Sequence, residues 1–185
     1  MYFESEEVKL KDGRTCILKC ADEGDAEGMV DYLKISAGET EFILRYPDEV
    51  TYTIEGEKEI INTKRENPDE AFVVAVVDGE VAGNCAVCAH GVKRKIRHRA
   101  NFGIALISKY WNLGIGNALM KKSIELAKDM GFEQLELEVA GPNVKAQHLY
   151  EKYGYKKIGE RPKALKLDNG EYYSEYLMVL DLTEA

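Results

Sequence analysis

Between Tyr110 and Met120 the chain reads YWNLGIGNALM, with Gly114 and Gly116 flanking a single residue where a helical pattern begins. Glycine costs a helix roughly 0.5–1 kcal/mol against alanine, so a pair in the first turn needs a compensating reason. One reason is chemical. First-turn N–H groups lack intrahelical partners and carry the positive end of the helix dipole, so a bare backbone can close around a phosphate. The other is structural, a tight strand-to-helix turn with close packing, and the spacing alone leaves both open. No Lys-Ser or Lys-Thr follows Gly116, which removes the P-loop, and no repeated parallel β-α-β units surround the segment, which removes a dinucleotide fold.

Two further groupings could do chemistry. Cys85 and Cys88 form a C-x-x-C inside VAGNCAVCAH, but that stretch reads as a strand, where a separation of three sends the thiols to opposite faces. A metal site is therefore not expected. The run KRKIRHR, Lys93 to Arg99, follows Gly91 and reads as the solvated tip of a hairpin, with binding of an anionic ligand or protein left open.

The composition bounds what can carry such residues. A chain of 185 residues, 45% hydrophobic and 31% charged with only four prolines, fits a single globular domain, 1–185, with one core. The formal charge of −8 opposes nucleic-acid binding and favours cationic partners. The start, MYFESEEVKLKDGR, has no apolar leader, and no apolar run approaches the roughly 18 residues of a membrane span. A cytoplasmic protein with no membrane partner and four reduced cysteines is the expectation, and a homodimer is left open.

The elements follow from periodicity and punctuation. Arg14 to Cys20 reads as a strand after an Asp12–Gly13 turn, and Asp25 to Ala37 as a weakly amphipathic helix closed by Gly38. Pro47 interrupts the next stretch, and Thr53 to Arg65 reads as a helix facing inward through Ile54, Ile60 and Ile61. AFVVAVV, Ala71 to Val77, then Asp78–Gly79 and VAGNCAVCAH form a hairpin, and Ala100 to Ile107 a further strand. The helix from Ile115 runs to Gly131, Leu135, Leu137 and Val139 share one strand face, and Asn143 caps a helix ending at Gly154. Tyr155 to Gly159 and Tyr172 to Leu182 close the sheet. A hairpin-rich first half joined to a β-α-β unit predicts a mixed α/β sheet.

This order and two motifs resemble the GNAT N-acetyltransferase superfamily. Its acetyl-CoA motif, R/Q-x-x-G-x-G/A, matches Trp111 to Gly116, with Trp111 where Arg or Gln is usual. A second pattern, N-x-x-A-x-x-L-Y-x-K-x-G-F, is similar to NVKAQHLYEKYGY, Asn143 to Tyr155, with Tyr155 for Phe. The resemblance spans about residues 71–159 and implies a mixed, mostly antiparallel sheet of about seven strands with a splayed parallel pair and about four helices. It also implies acetyl-CoA as co-substrate, with no metal. The backbone of Leu113, Gly114, Ile115, Gly116 and Asn117 would surround the pyrophosphate, where a Cβ at either glycine would obstruct it. Trp111, Asn112, Asn143, Ala146 and Tyr150 would complete the coenzyme site, and the pantetheine arm would pair with backbone near Ile104 and Leu106.

The resemblance further implies transfer of an acetyl group to a primary amine, of a small molecule or of a protein, with Tyr150 donating a proton to the leaving thiolate. The alternative for Tyr150 is a core tyrosine on an apolar helix face. A non-catalytic acyl-CoA-binding module is the alternative for the whole chain. Many relatives carry a glutamate early in the strand before the motif, and Asn101 stands there instead, unable to accept a proton at neutral pH. Glu138 is carried as the base, with Glu41 and His98 as other groups of suitable chemistry, and Glu41 and Asn101 as acceptor-side residues. His90 and His148 read as strand-end and helix-surface residues. Acidic loops, ETEFILRYPDE and DNGEYYSEY, would suit a polyamine or other cationic amine, although solvated loop acids are the simpler reading.

Overall fold

The structure, a computed structural model, describes residues 2–183. Strands β1 (Glu6–Lys9) and β2 (Thr15–Cys20) precede helices α1 (Ala26–Glu39) and α2 (Ile54–Glu66). Strands β3 (Glu70–Val77), β4 (Glu80–Ala89) and β5 (Arg99–Leu106) lead into α3 (Ile115–Asp129). Strand β6 (Gln134–Ala140), helix α4 (Val144–Lys152) and strands β7 (Lys156–Lys166) and β8 (Tyr172–Asp181) complete the chain. The sheet has eight strands in the order β1-β2-β3-β4-β5-β6-β8-β7. Only β5 and β6 pair in parallel.

Alternation along β4 shows how the sheet is sandwiched. Asn84 Oδ1 accepts from Tyr32 Oη of α1 at 2.7 Å, while the neighbouring Cys85 thiol points at the Leu119 carbonyl of α3. Helices α1 and α2 thus cover one face, and α3 and α4 the other. Cys88 faces Lys64 of α2, so the two thiols of the C-x-x-C do lie on opposite faces. Among the described residues there is no group of His, Cys, Asp or Glu placed to hold a metal, and no helix is long and apolar enough to cross a membrane.

The sheet holds one strand more than the roughly seven expected. Strand β1 is four residues at the edge, and its sequence EEVK has no apolar alternation to announce it. Pairing with β2 and an ion pair from Lys122 to Glu6 hold it in place. Strand β7 runs to Lys166, past the expected end at Gly159, because Pro162 falls in an irregularity between Arg161 and Leu165 where no N–H is required. Pro47 does not leave an irregular stretch throughout, since it opens a short 3-10 turn, Pro47–Glu49. On α2 only Ile61 is fully buried of the three isoleucines, and Glu57 lies buried on the same helix with its carboxyl pKa raised by desolvation.

Candidate active site

The splay between β5 and β6 follows from how few residues pair. Their parallel register runs only from Arg99↔Gln134 to Asn101↔Glu136. Beyond it β6 is occupied by β8 on its other side, and β5 by β4. Ile107 N–H donates to the Ala82 carbonyl at 3.0 Å, and the register Cys85↔Ile104 then turns the peptide groups of Phe102, Ile104 and Leu106 away from β4, toward the gap. A cleft of about 530 Å³ fills that gap, passing from the α3/α4 side to the α1/α2 side.

At the α3 end the backbone is shaped by the glycines. Gly114 caps the helix at φ 108°, a conformation that L side chains rarely adopt, and Asn112 is left-handed at φ 64°. A Cβ built on Gly114 meets nothing within 4 Å, and one on Gly116 makes only ordinary contact with Leu149 at 3.5 Å. Protein packing therefore does not require the second glycine. Both glycines line the cleft, so the absent side chains leave its wall bare beside the first-turn N–H groups, the cradle that a pyrophosphate would fill. The residues present fit coenzyme A on that ground.

Trp111 is 38% exposed, donates its indole N–H to the Leu106 carbonyl at 2.9 Å, and lies under the Lys145 ammonium at 4.4 Å. It thus occupies one outward carbonyl of β5, leaving the peptide groups of Ile104 and the N–H of Leu106 for a ligand. Asn143 caps α4, accepting from Ala146 N–H at 3.2 Å. Asn117 accepts from Lys152 through its side chain and from the Tyr153 hydroxyl through its carbonyl, tying α3 to α4. Ala146 lines the cleft, whereas Leu113 and Ile115 do not: the Ile115 side chain is in the core, and the Leu113 carbonyl accepts from Lys11 N–H at 3.1 Å.

Tyr150 projects from α4 into the cleft lining, only 7% exposed. Its ring meets Phe102 edge-on at 6.4 Å and Tyr155 at 5.8 Å. Its hydroxyl has no hydrogen-bond partner among the described residues, and burial pushes its pKa up to about 12. Behind it the Tyr155 hydroxyl is wholly buried with no hydrogen-bond partner among the described residues. Phe102, which the sequence did not single out, fixes the ring of Tyr150 from β5.

The opposite side of the cleft is acidic. Glu138 lines it together with Glu175 of β8, and Arg161 of β7 bridges the two, at 2.8 Å to Glu138 and 2.9 Å to Glu175. Arg161 went unnoticed in the sequence, and Glu175 entered only within the acidic stretch DNGEYYSEY without being singled out, although a lone carboxylate in the apolar and aromatic run of β8 was a usable signal. Glu41 does not line this cleft. It accepts from Tyr173 Oη at 2.6 Å and borders a second cavity, of about 440 Å³, that adjoins the first at Thr40, Ile43 and Leu44. Asn101 also lies outside the lining, exposed on the α1/α2 side with its Oδ1 3.5 Å from His90 Nδ1. His98 is at the foot of the parallel pair, where its carbonyl accepts from Glu133 and Gln134.

Comparison with known proteins bears on this arrangement. The model of the acetyltransferase (GNAT) family matches residues 37–155, the segment that holds the glycine loop, the splay and Tyr150. The chain belongs to that family. It is accordingly an acetyl-CoA-dependent N-acetyltransferase. It is 34% identical over 114 residues to the L-amino acid N-acetyltransferase AaaT of Escherichia coli (strain K12), covering 61% of this chain and 69% of the relative. A GNAT-family acetyltransferase structure from Streptococcus pneumoniae superimposes with a TM-score of 0.85 at 27% identity, covering 90% of this chain and 99% of that one. An acetyltransferase of Salmonella typhimurium, solved with its cofactor acetyl-CoA, shares the fold at a TM-score of 0.80 and 15% identity, covering 92% of this chain and 95% of that one.

Proposed function

We propose that this N-acetyltransferase moves the acetyl group of acetyl-CoA to a primary amine by direct attack in a ternary complex. The preferred acceptor in this reading is a small cationic amine, such as a polyamine, or a protein amino group in a basic context. One observation carries it: the cleft is cationic beside the glycine loop, through Lys11 and Lys145, and acidic on the α1/α2 side, through Glu138 and Glu175. The phosphate-bearing substrate fits the first side and a positively charged amine the second.

The roles follow from the chemistry required. The thioester supplies an activated acetyl carbonyl, and the amine must arrive neutral, with its proton removed. Glu138 is the base in this reading, since it faces the cleft from the acceptor side and Arg161 holds its carboxylate in place. Glu175, ion-paired on the same guanidinium, keeps that side negative. Tyr150 faces the leaving sulfur. Its pKa near 12 keeps it protonated at neutral pH, yet it also widens the gap to a thiol of about 8.5, so its main effect is a hydrogen bond to the developing thiolate. The nitrogen–carbon bond forms, the carbon–sulfur bond breaks, and the proton lost by the amine balances the one gained by the thiol. No cysteine is among the residues lining the cleft, which supports direct transfer over an acyl-enzyme.

A second reading, a free amino acid as acceptor, draws support from the name of the E. coli relative. It would require the acceptor carboxylate to compete with Glu138 and Glu175 for Arg161. Acetyl-CoA turnover, followed by thiol release and product mass, over polyamines, free amino acids and peptide N-termini separates the two. Turnover confined to free amino acids would sink the cationic-acceptor reading, and no turnover with any amine would sink the catalytic roles.

A further inference from the structure

One patch reverses the sign of the surface. The chain carries a net −8, yet Lys93, Arg94, Lys95 and Arg97 stand together, exposed, on the turn between β4 and β5. Elsewhere cations are commonly neutralised by a neighbour, as in Lys19–Asp25, Lys64–Glu70, Lys122–Glu6 and Arg161–Glu175. Arg99, at the end of the basic run, is taken up by Glu136 in the same way. None of the exposed cations of the turn makes a side-chain hydrogen bond, ion pair or ring contact among the described residues. A block of like charge is ordinarily a disordered tail. Here it is folded. The Lys93 carbonyl accepts from Ile96 N–H at 2.9 Å and Arg97 N–H at 3.0 Å, and the Ile96 carbonyl accepts from Arg99 N–H at 3.0 Å. Ile96 also closes over Gly91, where an added Cβ would come within 2.8 Å of its Cδ1. The fold therefore holds like charges together against their repulsion, which a bound anion would relieve.

The foot of the turn limits what that anion can be. Asp69 and Glu133, both exposed, flank it: the Asp69 carbonyl accepts from Ala89 N–H at 3.0 Å, and Glu133 N–H donates to the His98 carbonyl at 2.9 Å. A nucleic-acid backbone extends its charge past the turn and would meet these acids. From Gly91 to Arg99 there is also no aromatic side chain on which a base could stack. A short acidic segment of a protein needs neither, and Val92, 81% exposed beside the cations, offers it an apolar contact.

We propose that the turn 92–97 is a docking surface for a short acidic segment of a partner protein, separate from the cleft. The turn follows His90, which meets Asn101 on the α1/α2 side, and β5 runs from there to the cleft-lining Gly103. At about 3.3 Å per residue, Arg99 lies about 13 Å from Gly103. A protein held at the turn is therefore beside the side proposed for the acceptor without entering the cleft. The inference does not depend on which amine is acetylated.

Fluorescence anisotropy tests this with a labelled oligoglutamate, N-acetylated so that it offers no amine to the cleft, at low and moderate salt. The wild type is compared with a variant carrying Lys93→Gln, Arg94→Gln, Lys95→Gln and Arg97→Gln. A control carries Lys9→Gln, Lys34→Gln, Lys121→Gln and Lys163→Gln, exposed cations of β1, α1, α3 and β7 whose loss changes the net charge equally. Thermal melts verify that both variants are folded. Removing the cations of the turn should weaken binding about tenfold or more at low salt, with the difference shrinking as salt rises, while the control stays within about threefold of wild type. Equal losses in the two variants would reduce the patch to general charge and overturn the proposal. So would a wild type that does not bind the oligoglutamate at millimolar concentration. Tighter binding of an oligouridylate of matched charge would overturn it in favour of nucleic acid.

Discussion

The two sides of the cleft are built in different ways. In the proposed reading the coenzyme side is made mostly by one short stretch of chain, Trp111 to Asn117, whose backbone would face the ligand because glycine leaves it bare. The side proposed for the acceptor is assembled from the segment after α1 and from β6, β7 and β8, and its polar groups are side chains, with Arg161 joining Glu138 to Glu175. Backbone recognition is local and tolerates little change at a few positions. Side-chain recognition is distributed, so that one fold can accept different amines by altering residues far apart in sequence.

The sharpest way to break this comparison is at the backbone. Gly116→Val should weaken coenzyme A binding by on the order of 10²-fold or more, about 1.4 kcal/mol per tenfold, with an unchanged circular dichroism spectrum. The built Cβ makes only ordinary contacts, with Leu149 at 3.5 Å and Leu106 at 4.0 Å, both of them cleft-lining residues, so the branched side chain is expected to occupy ligand space rather than core. Unchanged affinity by calorimetry would remove the phosphate role of the loop.

Next in size is Tyr150→Phe, expected to lower the single-turnover rate by on the order of 10²-fold while leaving coenzyme A affinity within a few-fold. The substitution retains the edge-on contact with Phe102. If Tyr150 were only a core residue, the rate would be unaltered. Its titration supplies a separate check. With a pKa of about 12 in the fold and about 10 when unfolded, the hydroxyl is protonated in both states below pH of about 10, and its contribution to stability is intact there. As pH rises through about 12 the unfolded state ionises first and that contribution is lost. Denaturant titrations should show stability falling more steeply over this window for wild type than for Tyr150→Phe, and wild-type single-turnover rates should show no alkaline loss from Tyr150 below pH of about 10.

On the acceptor side the expected effects are smaller and of another kind. Glu138→Gln should lower kcat by about tenfold without changing coenzyme A affinity, since a displaced base can be partly replaced by water. The KM for a cationic amine should rise between low and moderate salt. A KM indifferent to salt would remove the electrostatic case for such an acceptor, and a Glu138→Gln variant at full kcat would remove Glu138 as base.

The smallest effect concerns the tyrosine behind Tyr150. The Tyr155 hydroxyl is buried with no hydrogen-bond partner among the described residues, so Tyr155→Phe should stabilise the protein by about 1 kcal/mol, or roughly 2–4 °C in Tm for a chain of this size. A lowered Tm would mean that the hydroxyl has a partner in solution, such as a buried water.

Much of this molecule was legible before any coordinates. The hairpin at Asp78–Gly79, the alternation of β6 and the helix from Ile115 all follow from local rules, since left-handed turns, period-two faces and helix starts are each written within a few neighbouring residues. The glycine pair and the tyrosine on α4 belong to the same class. Strand β1 was missed because EEVK is stabilised by its partners and not by its own pattern, and β7 was cut short because a proline ends a strand unless a bulge removes the need for its N–H. The positions of Glu41 and Asn101 outside the cleft, and of Lys11, Phe102, Arg161 and Glu175 at or beside it, were decided only by the tertiary structure. Each depends on the register and twist of strands that meet across long separations, as when Lys11 reaches Leu113 or Arg161 reaches Glu138. A side chain's type is local information, whereas its neighbours are fixed by the closure of the whole sheet.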